Sequence, residues 1–195
     1  MYQLLAALSV IFFLIAAPPY IFDTVRGKTK PQRATWFIWS VLGIIAFVSQ
    51  ANLGATWSLV FSGSDALGSI LIFGLSIKYG VGGWARLDKI ALIVAAVGVI
   101  VSFIAREPVI AILGVILADV SGTILTIRKT YGAPDTETTI SWLLVGTGAL
   151  TGVLAVGKFN IALLLYPGYL MLANYAIPCT QFIGRMVRQP KTKAA

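Results

Sequence analysis

Asp65 and Asp119 each interrupt a long apolar stretch of the sequence, and carboxyl groups in such surroundings are the first candidates for chemistry. Taken as residues of membrane-crossing helices rising 1.5 Å per residue, Asp65 lies roughly 14 Å and Asp119 roughly 17 Å from the same membrane face, both close to the bilayer centre. A charge at that depth costs on the order of 2.5 to 3.5 kcal/mol on insertion scales, so such a residue faces a water-filled path, a ligand or a proton. The alternative is a carboxyl kept neutral by burial and hydrogen-bonded to a neighbouring helix. Shared depth lets the two face one cavity. Trp39 and Trp142 could stack against a ring or an apolar ligand there, while Trp36, one turn earlier, is read as a marker of the membrane interface. Asn174, Gln181, Ser62 and Ser64 are polar within apolar runs, where bonding between helices is the ordinary use. Asn174 is the best placed of them for a ligand.

Other chemistries are excluded by what the chain lacks. Histidine is absent and Cys179 is the only cysteine, which removes Cys/His zinc sites, intrachain disulfides, histidine proton relays and histidine triads. No metal site and no cofactor is expected. An intramembrane aspartyl protease needs two carboxylates sharing a proton. Its Tyr-Asp and Gly-x-Gly-Asp motifs are missing: Asp65 follows Gly63-Ser64 and Asp119 follows Leu117-Ala118. A retinal Schiff base needs a lysine in the last helix, and none occurs from Asn160 to Phe182. There is no G-x-x-x-x-G-K-[ST] nucleotide loop either. The chain is not read as an enzyme.

The elements that would hold these residues follow from composition. Of 195 residues, 58% are hydrophobic and 11% charged, more oil than a soluble core could bury. At about 20 residues per crossing, the chain has room for six to eight helices with tight loops. The first apolar stretch, Leu4 to Ile21, has no basic residue before it and no small-residue cleavage site, so it is kept as a mature helix. Apolar runs broken by charge, glycine or proline predict seven helices, at about 4–22, 35–51, 56–77, 88–104, 108–127, 139–157 and 160–183. Alternating crossings then put every basic residue except Arg106 and Lys158 on one face, from Arg26, Lys28, Lys30 and Arg33 through to Lys191 and Lys193. The positive-inside rule makes that face cytoplasmic, with the amino terminus outside and the carboxyl terminus in the cytoplasm. The formal charge of +8 is thus a topology signal and calls for no nucleic acid. Lys28, Lys30 and Arg33 are within reach of anionic lipid. Gly43, Gly68, Gly74, Gly114, Gly148 and Gly152 are expected at close helix crossings.

The two halves of the chain also match. Thr24-Val25-Arg26, Lys28, Thr29, Pro31, Thr35 and Trp39 correspond to Thr126-Ile127-Arg128, Lys129, Thr130, Pro134, Thr138 and Trp142, at offsets of 102, then 101, then 103 residues. The predicted fold is an all-α membrane protein of two parallel three-helix repeats, residues 1–82 and 106–195, joined by a linker helix within 83–105. Parallel repeats about an axis along the membrane normal are a transporter architecture, with substrate held between the repeats. The integral multi-pass chain is expected to have the bilayer and a small-molecule solute as partners, and a homo-oligomer stays open.

On these residues the chain resembles the SWEET sugar transporters and their PQ-loop relatives over nearly its whole length. The resemblance implies a proline hinge near the cytoplasmic end of the first helix of each repeat. Pro18 and Pro19 are similar to that element, while Gly122 would serve in the second repeat; the Pro31-Gln32 pair lies in a loop and is not the hinge. It also implies, on each third helix, an asparagine that contacts substrate and is followed three residues later by glycine, an element to which Asp65, with aspartate in place of asparagine, and Gly68 are similar. In the second repeat Gly168 stands opposite Asp65 and leaves that place to Tyr169 or Asn174. The implied function is a secondary transporter or facilitator for a small polar solute, sugar-like or cationic, lined by Asp65, Asp119, Asn174, Trp39, Trp142 and Tyr169. A ligand-binding receptor or sorting protein of the same fold is the alternative.

Overall fold

A computed structural model of the chain describes residues 1–52 and 57–188. It holds α1 (Tyr2–Val25), α2 (Arg33–Asn52), α3 (Trp57–Tyr79), α4 (Arg86–Ile104), α5 (Pro108–Gly132), α6 (Thr139–Ala155) and α7 (Ile161–Arg188). A 3-10 turn, Pro134–Thr136, joins α5 to α6. All seven expected helices are present. Lys191 and Lys193 lie outside the described residues. The carboxyl ends of α5 and α7 run past the expected points, through Arg128-Lys129 and through Arg185 and Arg188. Cations are favourable at a helix carboxyl end, so charge there does not stop a helix.

Five helices, α1, α2, α4, α5 and α7, are long and apolar enough to cross a membrane, and α6 is apolar but shorter. The distribution of polarity agrees with a membrane protein. Thr24, Thr29, Thr35, Ser76, Thr126, Thr130 and Gln181 are almost wholly buried, while Leu71, Ile93, Ile100 and Leu172 are exposed. Water would favour the reverse; hydrocarbon leaves polar groups only internal partners and welcomes an apolar exterior.

Six helices form a closed ring in the order α1, α3, α2, α5, α7, α6, with α6 packing back on α1. The seventh, α4, lies outside the ring against α5 and α2. Among the described residues, the sequence neighbours α1 and α2 do not pack together, and neither do α5 and α6. Glycine sets the tightest seams. A Cβ on Gly98 of α4 would come within 2.5 Å of the Gly114 carbonyl oxygen of α5, and one on Gly114 within 2.6 Å of the Gly98 oxygen. Gly43 lies against the Ala66 backbone and Gly148 against Phe12 and Phe13. Gly74 has open space beside it and serves no crossing.

The loops at the end carrying most of the basic residues are tied together. The Lys30 N–H donates to the Thr136 carbonyl at 3.0 Å, and the Thr29 and Thr138 hydroxyls meet at 2.5 Å. Thr138 donates in turn to Asp23 at 3.0 Å. Gln32, set aside as a loop residue by its sequence context, is buried and structural. Its Oε1 accepts from the Thr35 N–H at 2.8 Å, capping the start of α2, and its Nε2 donates to Asp88 of α4 at 2.6 Å. Arg33, read in the sequence as a topology charge within reach of anionic lipid, caps the carboxyl end of α3 through the Ser76, Gly80 and Gly82 carbonyls at 2.8 to 2.9 Å. Gln181 of α7 donates to the Pro134 and Glu137 carbonyls and accepts from Thr139, fulfilling the role expected of polar groups between helices.

Candidate functional site

The ring encloses a cavity of about 390 Å3, and every ring helix contributes to its wall. Its wall is mostly apolar, and among the described residues Asp65 and Asp119 are the only charged groups lining it. Asp119 sits on α5 directly after Ala118, which is fully buried in the seam with α4. That seam fixes the rotation of α5 and turns Asp119 inward. Three donors converge on a single carboxylate oxygen. Asp119 Oδ1 accepts from Tyr169 Oη at 2.8 Å, from Trp39 Nε1 at 3.2 Å and from Thr123 Oγ1 at 3.2 Å. A carboxylate oxygen with that many donors is held rigidly. Oδ2 has no partner among the described residues.

Asp65, on α3, lines the cavity from the opposite side of the sequence repeat and makes no hydrogen bond among the described residues. Its helix is anchored where Ala66 meets Gly43, so the adjacent side chain is presented inward. Asn174, on α7, also lines the cavity; its Nδ2 donates back to the Leu170 carbonyl at 2.8 Å, which leaves Oδ1 for a ligand.

Four rings close the cavity toward the basic end. Tyr20 lies 5.0 Å from Trp36 and 5.6 Å from Trp142 between centroids, and Trp39 lies 5.0 Å from Trp36 and 5.8 Å from Trp142. Trp36 is therefore part of a buried cluster and not an interface marker. The cluster rests on a polar layer: Trp142 Nε1 donates to Glu137 Oε2 at 2.8 Å, and Lys129 Nζ bonds Glu137 Oε1 at 2.5 Å. At the other end the lining continues through Ser62, Gln50 and Ser102 near the far termini of α3, α2 and α4. The site is plugged on one side.

Of the residues singled out in the sequence, Asp65, Asp119, Asn174, Trp39 and Trp142 come together around this cavity. Tyr169 is not among the lining residues and acts on the site through its bond to Asp119. Pro18 and Pro19 lie inside α1, which continues through them as a helix, and neither lines the cavity. Gly122 packs against Thr35 and Trp39, and its carbonyl accepts from the Thr35 hydroxyl at 2.8 Å. Sequence reasoning missed Tyr20, Tyr166, Thr123 and Glu137. Thr123 had a usable signal, since it stands four residues after Asp119 and so shares its helix face. Compared with protein-family models, curated proteins and solved structures, the chain matches none.

Proposed function

We propose that the chain is a secondary transporter or facilitator of a small polar solute, similar in plan to the SWEET and PQ-loop carriers. Residues 1–82 and 106–195 act as two parallel three-helix repeats that rock about the central cavity, with α4 as the linker. All seven helices cross the bilayer, with the amino terminus outside and the basic end in the cytoplasm. The observation that carries this reading is a solute-sized cavity between the two groups of helices, lined by two carboxylates and plugged at one end only. The packing order supports the repeat. In each group the first helix packs on the third and the second on the third, but the first and second stay apart. Between groups, α1 meets α6 and α2 meets α5, so first and second helices are exchanged as a two-fold axis requires.

Opening the basic end means parting the Thr29–Thr138 tie and the four-ring cluster while the far end closes. Bending in α1 falls at Pro18 and Pro19, which lack the N–H groups that the Leu14 and Ile15 carbonyls would otherwise accept. Bending in α5 falls at Gly122. With no nucleotide loop, the driving force is a solute or ion gradient.

The test is uptake by liposomes containing the purified protein, against a panel of labelled sugars, amino acids, vitamins and amines, with and without a proton gradient. Saturable uptake of at least one solute is expected, falling about tenfold or more in Asp119→Asn, which loses a charged hydrogen-bond partner. A folded protein that moves nothing, yet is stabilised against heat by a bound solute, would replace the carrier with a receptor.

A further inference from the structure

We propose that the cavity selects a small organic cation without a carboxylate, such as an alkylated ammonium ion, held by Asp65 and Asp119 against the indole rings of Trp39 and Trp142. The proposal rests on the carrier reading and names its substrate class. Four observations converge on it.

The first is charge. The chain carries a formal +8, yet both charged residues lining its cavity are acids, so the interior opposes the sign of the whole. An anion would meet no lysine or arginine there. An amino acid or betaine would bring its own carboxylate into a chamber that already holds two, with no lining cation to receive it.

The second is which hydrogen-bonding valences are unspent. Asp119 and Asn174 are only 7% and 8% exposed. Asp119 Oδ1 is saturated, but Oδ2 has no partner among the described residues, and Asn174 spends its amide on Leu170 and keeps its carbonyl oxygen. Both oxygens of Asp65 are likewise without a hydrogen bond among the described residues. On these three side chains every unspent group is an acceptor; the Ser141 hydroxyl, which also lines the cavity and is buried without a partner among the described residues, can accept or donate. Oxygens that face the cavity without a protein donor are free to accept from a ligand, and an ammonium group or its polarised methyls would supply that partner.

The third concerns the tryptophans. The indole N–H of Trp39 is committed to Asp119 and that of Trp142 to Glu137. What the two rings, 5.8 Å apart, can offer a ligand is therefore π surface and not a donor. A π face attracts a cation and gives an anion nothing. The fourth is the wall between these groups, where Leu42, Val145 and Ile177 suit alkyl substituents better than the hydroxyl shell of a sugar.

Choline, glycine betaine and the dimethylbutanol in which carbon replaces the choline nitrogen separate the contributions. They share a shape and differ in charge and in the carboxylate. The full-length protein is tested for binding by the shift in melting temperature with all three probes, and for uptake into liposomes with labelled choline, betaine and glucose. Choline is expected to stabilise the protein and to enter at least about tenfold faster than betaine or glucose, with the alcohol inert. Asp65→Asn is expected to lower choline affinity about tenfold or more. Because Asp65 bonds to nothing in the described structure, this variant keeps the fold, and a single peak in size exclusion verifies it.

Uptake of betaine or glucose with choline excluded would overturn the cation assignment and leave the carrier standing. Choline binding without flux would keep the ligand class and remove the carrier. Absence of choline binding by a folded protein, or equal binding of the uncharged alcohol, would overturn the proposal.

Discussion

Lys129→Met is expected to lower stability by about 3 to 5 kcal/mol, because it strands a charge that has no other route to solvent. The Glu137 side chain is 0% exposed and its Lys129 partner 9%, and they meet at 2.5 Å. Removing the lysine leaves the carboxylate with only uncharged partners, Trp142 Nε1 and the Tyr20 hydroxyl. Adding Glu137→Gln to Lys129→Met removes the stranded charge while the amide oxygen still accepts from Trp142, so the double variant should recover most of the loss. The measurement is thermal unfolding in detergent followed by circular dichroism. A single variant within about 1 kcal/mol of the parent would mean that Glu137 is solvated and that the layer beneath the aromatic plug is wet.

Gly98→Ile should be at least as damaging, at about 3 kcal/mol or more, since overpacking against a rigid neighbour cannot relax. The atoms that its Cβ would meet are the Gly114 carbonyl oxygen at 2.5 Å and the Ala118 N at 2.7 Å, both backbone. Relief requires α4 and α5 to separate. That movement would rotate α5 and carry Asp119 away from Trp39 and Tyr169, so ligand binding should be lost along with stability. Gly74→Ala is the control: its Cβ meets nothing within 4 Å, and alanine is the better helix former by about 1 kcal/mol. It should melt at or slightly above the parent temperature. If Gly98→Ile also melted like the parent, the α4–α5 seam would be looser than its geometry indicates.

Much of the scaffold was legible because hydrocarbon imposes simple demands. A crossing helix must be long and apolar, and its ends are written in charge, glycine and proline. Asp65, Asp119 and Asn174 stood out for the same reason, as polar groups where polarity is expensive. Partners chosen in three dimensions were not legible. Glu137 looked like any loop acid, although a lysine eight positions earlier and an indole five positions later bury it. Tyr20 and Trp36 belong to helices that do not pack on each other, yet their side chains meet over the cavity floor. Arg33 and Gln32 carried ordinary signals of a cytoplasmic loop, and only the return of α3 and the start of α4 beside them make one a cap and the other a clamp. Tyr169 was chosen as a lining residue from its register in the repeat; it does not line the cavity, and the bond from its hydroxyl makes it a support for Asp119 instead.

If the basic end, closed in this structure, opens during the proposed transport, a reversible cross-link across it must stop flux. The Thr29 and Thr138 hydroxyls are 2.5 Å apart, so cysteines at both positions in a Cys179→Ser background are close enough to form a disulfide across the two halves. Oxidised protein in liposomes should lose solute flux to the level of empty vesicles, keep ligand binding from the far end, and regain flux on addition of reductant. Complete cross-linking with flux unchanged would show that this end never parts, and alternating access through the cavity would be wrong.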